Sequence, residues 1–228
     1  MSVNGLVWRL RMRRLLYQRR IAGTALQACW QAPLPSTSSD WRKVSFLVAD
    51  AEMSSMDAST GELLSVGWVL VENGSIDLGS AQHHLIRAEN SVGQSATIHN
   101  LRDYDLVDAN TRERALAHFL QAAAGRVLVF HNAVLDMAFL NKISRREFNA
   151  PILMPVVDTL LQEEKLLRRR EHVLKPGELR LQGCRDRYGL PHFHGHNALL
   201  DALATAELLI ALASRRSIGR SLTLAQLL

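Results

Sequence analysis

Val44 to Ala49 is a short, nearly all-apolar run, the pattern of a strand covered on both faces. Gly61 marks a turn, and Glu62 to Val71 (ELLSVGWVLV) reads as a second strand. Asn73-Gly74 is a strong hairpin signal and leads to a third strand within Ser75 to Arg87, so the body opens as an antiparallel meander. Beyond a polar stretch the period lengthens. Asn110 to Ala124 has helical spacing with Gly125 as its C-cap, Arg126 to Phe130 is another buried strand, and Asn132 is placed to cap a helix from Ala133 to Arg146. Further helices are expected over Asp158 to Arg170, Glu178 to Tyr188 and Ala198 to Ser214. A meander followed by β-α-β order predicts an α/β fold, a mixed sheet flanked by helices.

The first 30 residues mix six arginines with Leu, Val, Trp and Ile at roughly helical spacing and predict one basic amphipathic helix. QAPLPSTSSD, residues 31–40, is rich in Pro and Ser and reads as a linker. The expected organisation is thus a basic helix and linker over 1–40, one domain over 41–216 and a C-terminal tail over 217–228. Composition, 47% hydrophobic and 21% charged, is that of a soluble globular chain, with no apolar stretch near the ~20 residues of a membrane span. Cys29 and Cys184 stand far apart in no ligand spacing, which argues against a disulfide framework and for a reducing, cytoplasmic setting.

The formal charge of +5 is unevenly spread. Six of the 27 Lys and Arg and none of the 22 acids fall in the first 30 residues, leaving 21 basic against 22 acidic groups, a net of −1, over the rest. Bulk attraction to a polyanion would therefore act through the N-terminal segment. That segment reads as a helix laid on the body, or as a contact for nucleic acid, a membrane or a partner such as a polymerase; a transit peptide would also be Arg-rich and acid-free.

Four acids sit where polar groups are unexpected. Asp50 and Glu52 follow a buried strand at i and i+2, which puts both on one face. Asp136 lies one turn into an apolar helix, and Asp201 in the first turn of another. Singly, each has a structural explanation, an acid favoured by a helix N-terminus. Converging, they would repel one another unless cations lay between them, and hard oxygen donors suit Mg²⁺ or Mn²⁺. A pair of such ions is a device for cleaving phosphodiesters. His196, five residues before Asp201, is placed to accept a proton; His192 and His194 are its rivals, and His131 reads as a structural residue at a strand end.

Three motifs resemble those of the DEDDh (DnaQ-like) 3′-to-5′ exonucleases: VADAE with Asp50 and Glu52, VFHNAVLDMAFL with Asp136, and HNALLDALATAELL with His196 and Asp201. VVDTLL and LQGCRDRYGL resemble the segments between the second and third motifs. The resemblance spans about Val44 to Ser214. It implies a ribonuclease-H-like fold with a mixed five-stranded sheet, and release of nucleoside 5′-monophosphates from single-stranded DNA 3′ ends in repair or proofreading. It further implies two divalent cations, Mg²⁺ or Mn²⁺: Asp50 bridging both, Glu52 and Asp201 on one, Asp136 on the other, and His196 as general base. Ala51, Met53, Ile98, His99 and Asn132 are expected to contact substrate. Where the family has Thr after D-x-E this chain has Met53, which alters the terminal-nucleotide pocket. An exoribonuclease would use the same five residues, and a non-catalytic binding module would need none of them.

Overall fold

The computed structural model describes residues 3–88, 109–169, 171, 173–193 and 195–228, so Ile98, His99 and His194 lie outside the described residues. Helices α1 (Val3–Leu15) and α2 (Ala25–Gln31) and a 3₁₀ turn at Trp41–Lys43 precede strands β1 (Phe46–Met53), β2 (Leu63–Glu72) and β3 (Ser75–Leu85). Then come α3 (Arg112–Ala123), β4 (Val127–Phe130), α4 (Ala133–Phe148), β5 (Val156–Asp158), α5 (Thr159–Arg168), α6 (Leu181–Asp186), α7 (Ala198–Arg216) and α8 (Leu224–Leu227). The sheet order is β3-β2-β1-β4-β5, with the meander antiparallel and β4 and β5 added in parallel. Asn73 and Gly74 both take left-handed backbone angles (φ 53° and 74°), as the tight β2–β3 hairpin demands.

Alternation along β1 divides the interior in two. Leu47, Ala49, Ala51 and Met53 face a core shared with α2, α3 and α4, whereas Phe46 and Val48 face Ala206, Leu209 and Leu212 of α7. Asp50 and Glu52 continue the second row. β1 is longer than its apolar run because β2 keeps pairing with it through Glu52↔Ser65 and on to Met53↔Leu63, with a bulge between. On its other side the ladder with β4 stops at Val48↔Val129. The acids therefore lie on a rigid, paired strand that projects beyond its parallel neighbour.

The expected single N-terminal helix is two. Gly23 (φ 78°) turns the chain, and the Thr24 hydroxyl accepts the Gln27 N–H to start α2. Leu26, Cys29 and Trp30 are buried, and α2 packs on α3. At the other end Leu222, Leu224 and Leu227 are buried in the second core, and Thr223 bridges to Asp40. Both ends of the chain are thus built into the packed body.

The N-terminus of α7 comes down directly on β2. A Cβ added at Gly67, the partner of Asp50 in the ladder, would lie 2.3 Å from the Leu199 nitrogen and 2.5 Å from the Ala198 carbonyl carbon. Only a residue without a side chain permits that approach. Gly67→Ala should lift the first turn of α7 and with it Asp201. The expected outcome is a loss of about 1–3 kcal/mol, read as a fall in Tm. A variant with unchanged Tm would contradict the close approach.

Candidate active site

Three elements bring the carboxylates together. β1 supplies Asp50 and Glu52, and α7 supplies Asp201, whose Oδ2 accepts the backbone N–H of His196 (2.8 Å) and Asn197 (3.2 Å). Asn197 in turn caps α7 through the N–H groups of Leu199 and Leu200. Ligand oxygens of Asp50, Glu52 and Asp201 all lie within 4.8 Å of one another. Asp136, only 4% exposed, approaches from the first turn of α4, where the Ala51 N–H donates to it. It occupies the space left open beyond the end of β4.

The charges are unfavourable in isolation. Burial, then the charges of Asp136, Asp201 and Glu52, hold the Asp50 carboxyl well above the ordinary carboxylate range. Burial above all, helped by Asp158 and Glu52, does the same to Asp136 against the donation from Ala51. Asp201 is raised to about 6, first by burial and then by Glu52, despite its two backbone donors. Beside Glu52 lie the buried Ser65 Oγ, on its ladder partner, and His83 Nε2, neither of which has a hydrogen-bonding partner among the described residues; His83 feels the Glu52 charge. A cluster of hard oxygen donors that cannot all ionise together fits a divalent cation.

His196 stands exposed at the entry to α7 with a left-handed backbone (φ 71°) and close enough to Asp201 to favour its charged form. With Asn132 and Met56 it lines a cavity of about 670 Å³ whose walls include Leu160, Leu174, Leu179, Lys175 and Arg180. His192 is exposed and outside the carboxylate group. His131 has its two ring nitrogens engaged with Thr159 Oγ1 (2.9 Å) and the Leu179 carbonyl (2.8 Å), the structural role expected of it. Met53 is placed elsewhere: at 8% exposure it belongs to the core on the opposite face from Asp50 and Glu52, and Ala51 shares that face.

The model of the exonuclease family matches residues 47–209, a span that holds every one of these groups. The chain belongs to the exonuclease family. It is 27% identical over 176 residues to the DNA polymerase III PolC-type of Thermotoga petrophila, an alignment covering 77% of this chain and 12% of the polymerase. The chain thus spans about an eighth of the length of that relative. Its fold is similar to that of E. coli exonuclease I in complex with a dT13 oligonucleotide (TM-score 0.63, 15% identity, 77% of this chain and 42% of that one). It is likewise similar to exonuclease X in complex with 5′ overhanging duplex DNA (TM-score 0.58, 23% identity, 80% and 96%). The ribonuclease-H-like sheet expected from the sequence is the one these proteins share.

Two supports of the site escaped the sequence reading. Asn132 opens α4 with a left-handed backbone (φ 82°) and makes no side-chain cap. Instead Asp158 at the end of β5 accepts the N–H of Asn132 (3.1 Å) and Ala133 (3.0 Å), and its Oδ1 also caps α5 at Leu160. One carboxylate thereby fixes the starts of two helices, including the one that carries Asp136. Arg185 of α6, 1% exposed, donates to the carbonyls of Ala204 (2.7 Å) and Pro191 (2.9 Å), pairs with Glu207 (2.7 Å) and lies 5.0 Å from the Phe193 ring. It holds the loop that presents His196. The VVDTLL and LQGCRDRYGL segments were the available signals.

An acid whose folded-state pKa lies above its unfolded value stabilises folding only while protonated. For Asp201 the penalty is absent below about pH 4 and complete above about pH 6, an effect on the order of 3 kcal/mol before its partial exposure reduces it. Asp50 and Asp136 act in the same direction. The metal-free enzyme should lose thermal stability as pH rises through this window, and Mn²⁺ should restore it. The Mn²⁺-induced rise in Tm is expected to be larger at pH 7.5 than at pH 5, and Asp201→Asn should raise the metal-free Tm at pH 7.5 while shrinking the Mn²⁺ increment. A Tm indifferent to Mn²⁺ at both pH values would count against the assignment of these acids.

Proposed function

We propose that the chain is a DEDDh-type 3′-to-5′ exonuclease that removes nucleoside 5′-monophosphates from single-stranded DNA ends. The observation that carries this reading is the meeting of Asp50, Glu52 and Asp201 within 4.8 Å, with His196 beside Asp201 at the mouth of the large cavity. Asp50, Glu52 and Asp201, with Asp136 behind them, would hold divalent cations, Mg²⁺ or Mn²⁺. Such cations supply Lewis-acid activation of water and neutralisation of charge on the phosphodiester.

The remaining steps belong to the chain. His196 accepts the proton of the attacking water. The water oxygen bonds to phosphorus, the bond to the 3′ oxygen of the preceding nucleotide breaks, and that oxygen takes a proton, leaving a 5′-monophosphate and a shortened strand with a new 3′-hydroxyl. The apolar walls at Met56, Leu160, Leu174 and Leu179 suit bases, and Lys175 and Arg180 suit the phosphates that follow. Arg185 holds the His196 loop in register with Asp201, so the base need not be ordered at each turnover.

DNA is favoured as substrate because folds similar to this one include exonucleases in complex with DNA. The five residues themselves do not distinguish DNA from RNA, which depends on whether the 2′-hydroxyl is accommodated. With Mn²⁺ and matched single-stranded DNA and RNA oligomers, the expected products are deoxynucleoside 5′-monophosphates released one at a time, with slower attack on RNA. Asp50→Asn should abolish release, and His196→Ala should lower turnover by about 10²–10⁴-fold with Mn²⁺ binding retained. Faster attack on RNA would transfer the assignment to an exoribonuclease, and undiminished release by Asp50→Asn would end it.

A further inference from the structure

Helix α1 is fastened to the body by one face. Leu10 is buried, Tyr17 and Ile21 continue its row, and Arg14 is buried with its guanidinium donating to the carbonyls of Leu153 (2.7 Å) and Trp30 (3.1 Å) and lying 5.3 Å from the Trp30 ring. Four residues on the outward face are large and apolar yet exposed: Trp8 (61%), Met12, Leu15 and Leu16 (74%). Trp8, Met12 and Leu15 stand at i, i+4 and i+7, one continuous stripe. Leu15 also borders a groove of about 330 Å³ between α1 and the chain after α2, walled by Trp30, Pro33 and Leu34 and edged by Arg11, Arg14 and Gln18. Exposed arginines stand on both sides of this surface, Arg11 on the groove side and Arg13 on the other, and no Asp or Glu occurs in the first 39 residues.

We propose that this groove and stripe form a docking site for an acidic segment of a partner protein that carries a large apolar side chain. The groove has room for one such side chain with space to spare and carries apolar walls at Leu15, Trp30, Pro33 and Leu34, so an inserted aliphatic or aromatic residue loses exposed surface there. Arginine guanidinium groups on either side match carboxylates in two-pronged geometry. A nucleic-acid strand would satisfy the arginines but leave Met12, Leu15 and Leu16 in water. A bilayer would cover the stripe but cannot enter a concave groove behind it. The combination selects a peptide that is acidic and apolar at once.

The test uses the full chain and a short fluorescein-labelled peptide of Asp and Glu around one Phe, read by fluorescence anisotropy. Binding should be lost when the Phe is replaced by Ser or the acids by their amides. Arg11→Glu and Leu15→Ser should each weaken it by about tenfold or more while leaving Tm and the release of mononucleotides from a short oligonucleotide unchanged, because both side chains lie outside the carboxylate centre. No binding of the peptide, or binding indifferent to the Phe, would overturn the proposal. Flotation with phosphatidylglycerol vesicles, or capture of a single-stranded oligonucleotide, that depends on Leu15 and Arg11 where the peptide does not bind would assign the surface to lipid or nucleic acid instead.

Discussion

Like charges held together at the partly buried end of a sheet set the terms for this molecule. Asp50, Glu52, Asp136 and Asp201 would separate if their supports were flexible, since each raises the cost of ionising the next. The supports are accordingly stiff and come from all over the chain. β1 stays paired to β2 past the point where β4 ends, the first turn of α7 is pressed against Gly67, and Asp158 pins the start of α4. Substrate chemistry at such a centre needs no rearrangement of the protein to gather charge, because the folded sheet has already gathered it.

Features written locally were legible in the sequence. Period-two alternation put Asp50 and Glu52 on one face, the Asn73-Gly74 pair located the hairpin, and acids one turn into apolar helices marked Asp136 and Asp201. Features that depend on distant neighbours were not. Gly67 looked like a small residue within a strand, and its necessity comes from Leu199, far along the chain. Asp158 was read only as the first residue of one helix, whereas it fixes the starts of two because β5 lies beside β4. Arg185 carried no sign that it would be buried, as charged residues on a short helix ordinarily face solvent. Met53 was read as pocket lining from its place after the motif, but the pleat turns it into the opposite core.

The arginine-rich start shows the same limit in another form. A charge count treats six arginines alike, yet Arg14 has become an interior strut, hydrogen-bonded to Leu153 and Trp30, while its neighbours stay exposed. Tertiary packing decides which cations are structural and which remain to meet a partner.

His196 holds a left-handed backbone at φ 71°, a conformation that disfavours every side chain larger than hydrogen. Glycine would relax that position, and a neutral amide in place of any of the nearby acids would relax the cluster. Substitutions chosen for stability alone would therefore converge on the one end of the sheet that His196 and the carboxylates occupy. A screen for stabilising changes, read position by position, would trace the outline of the site.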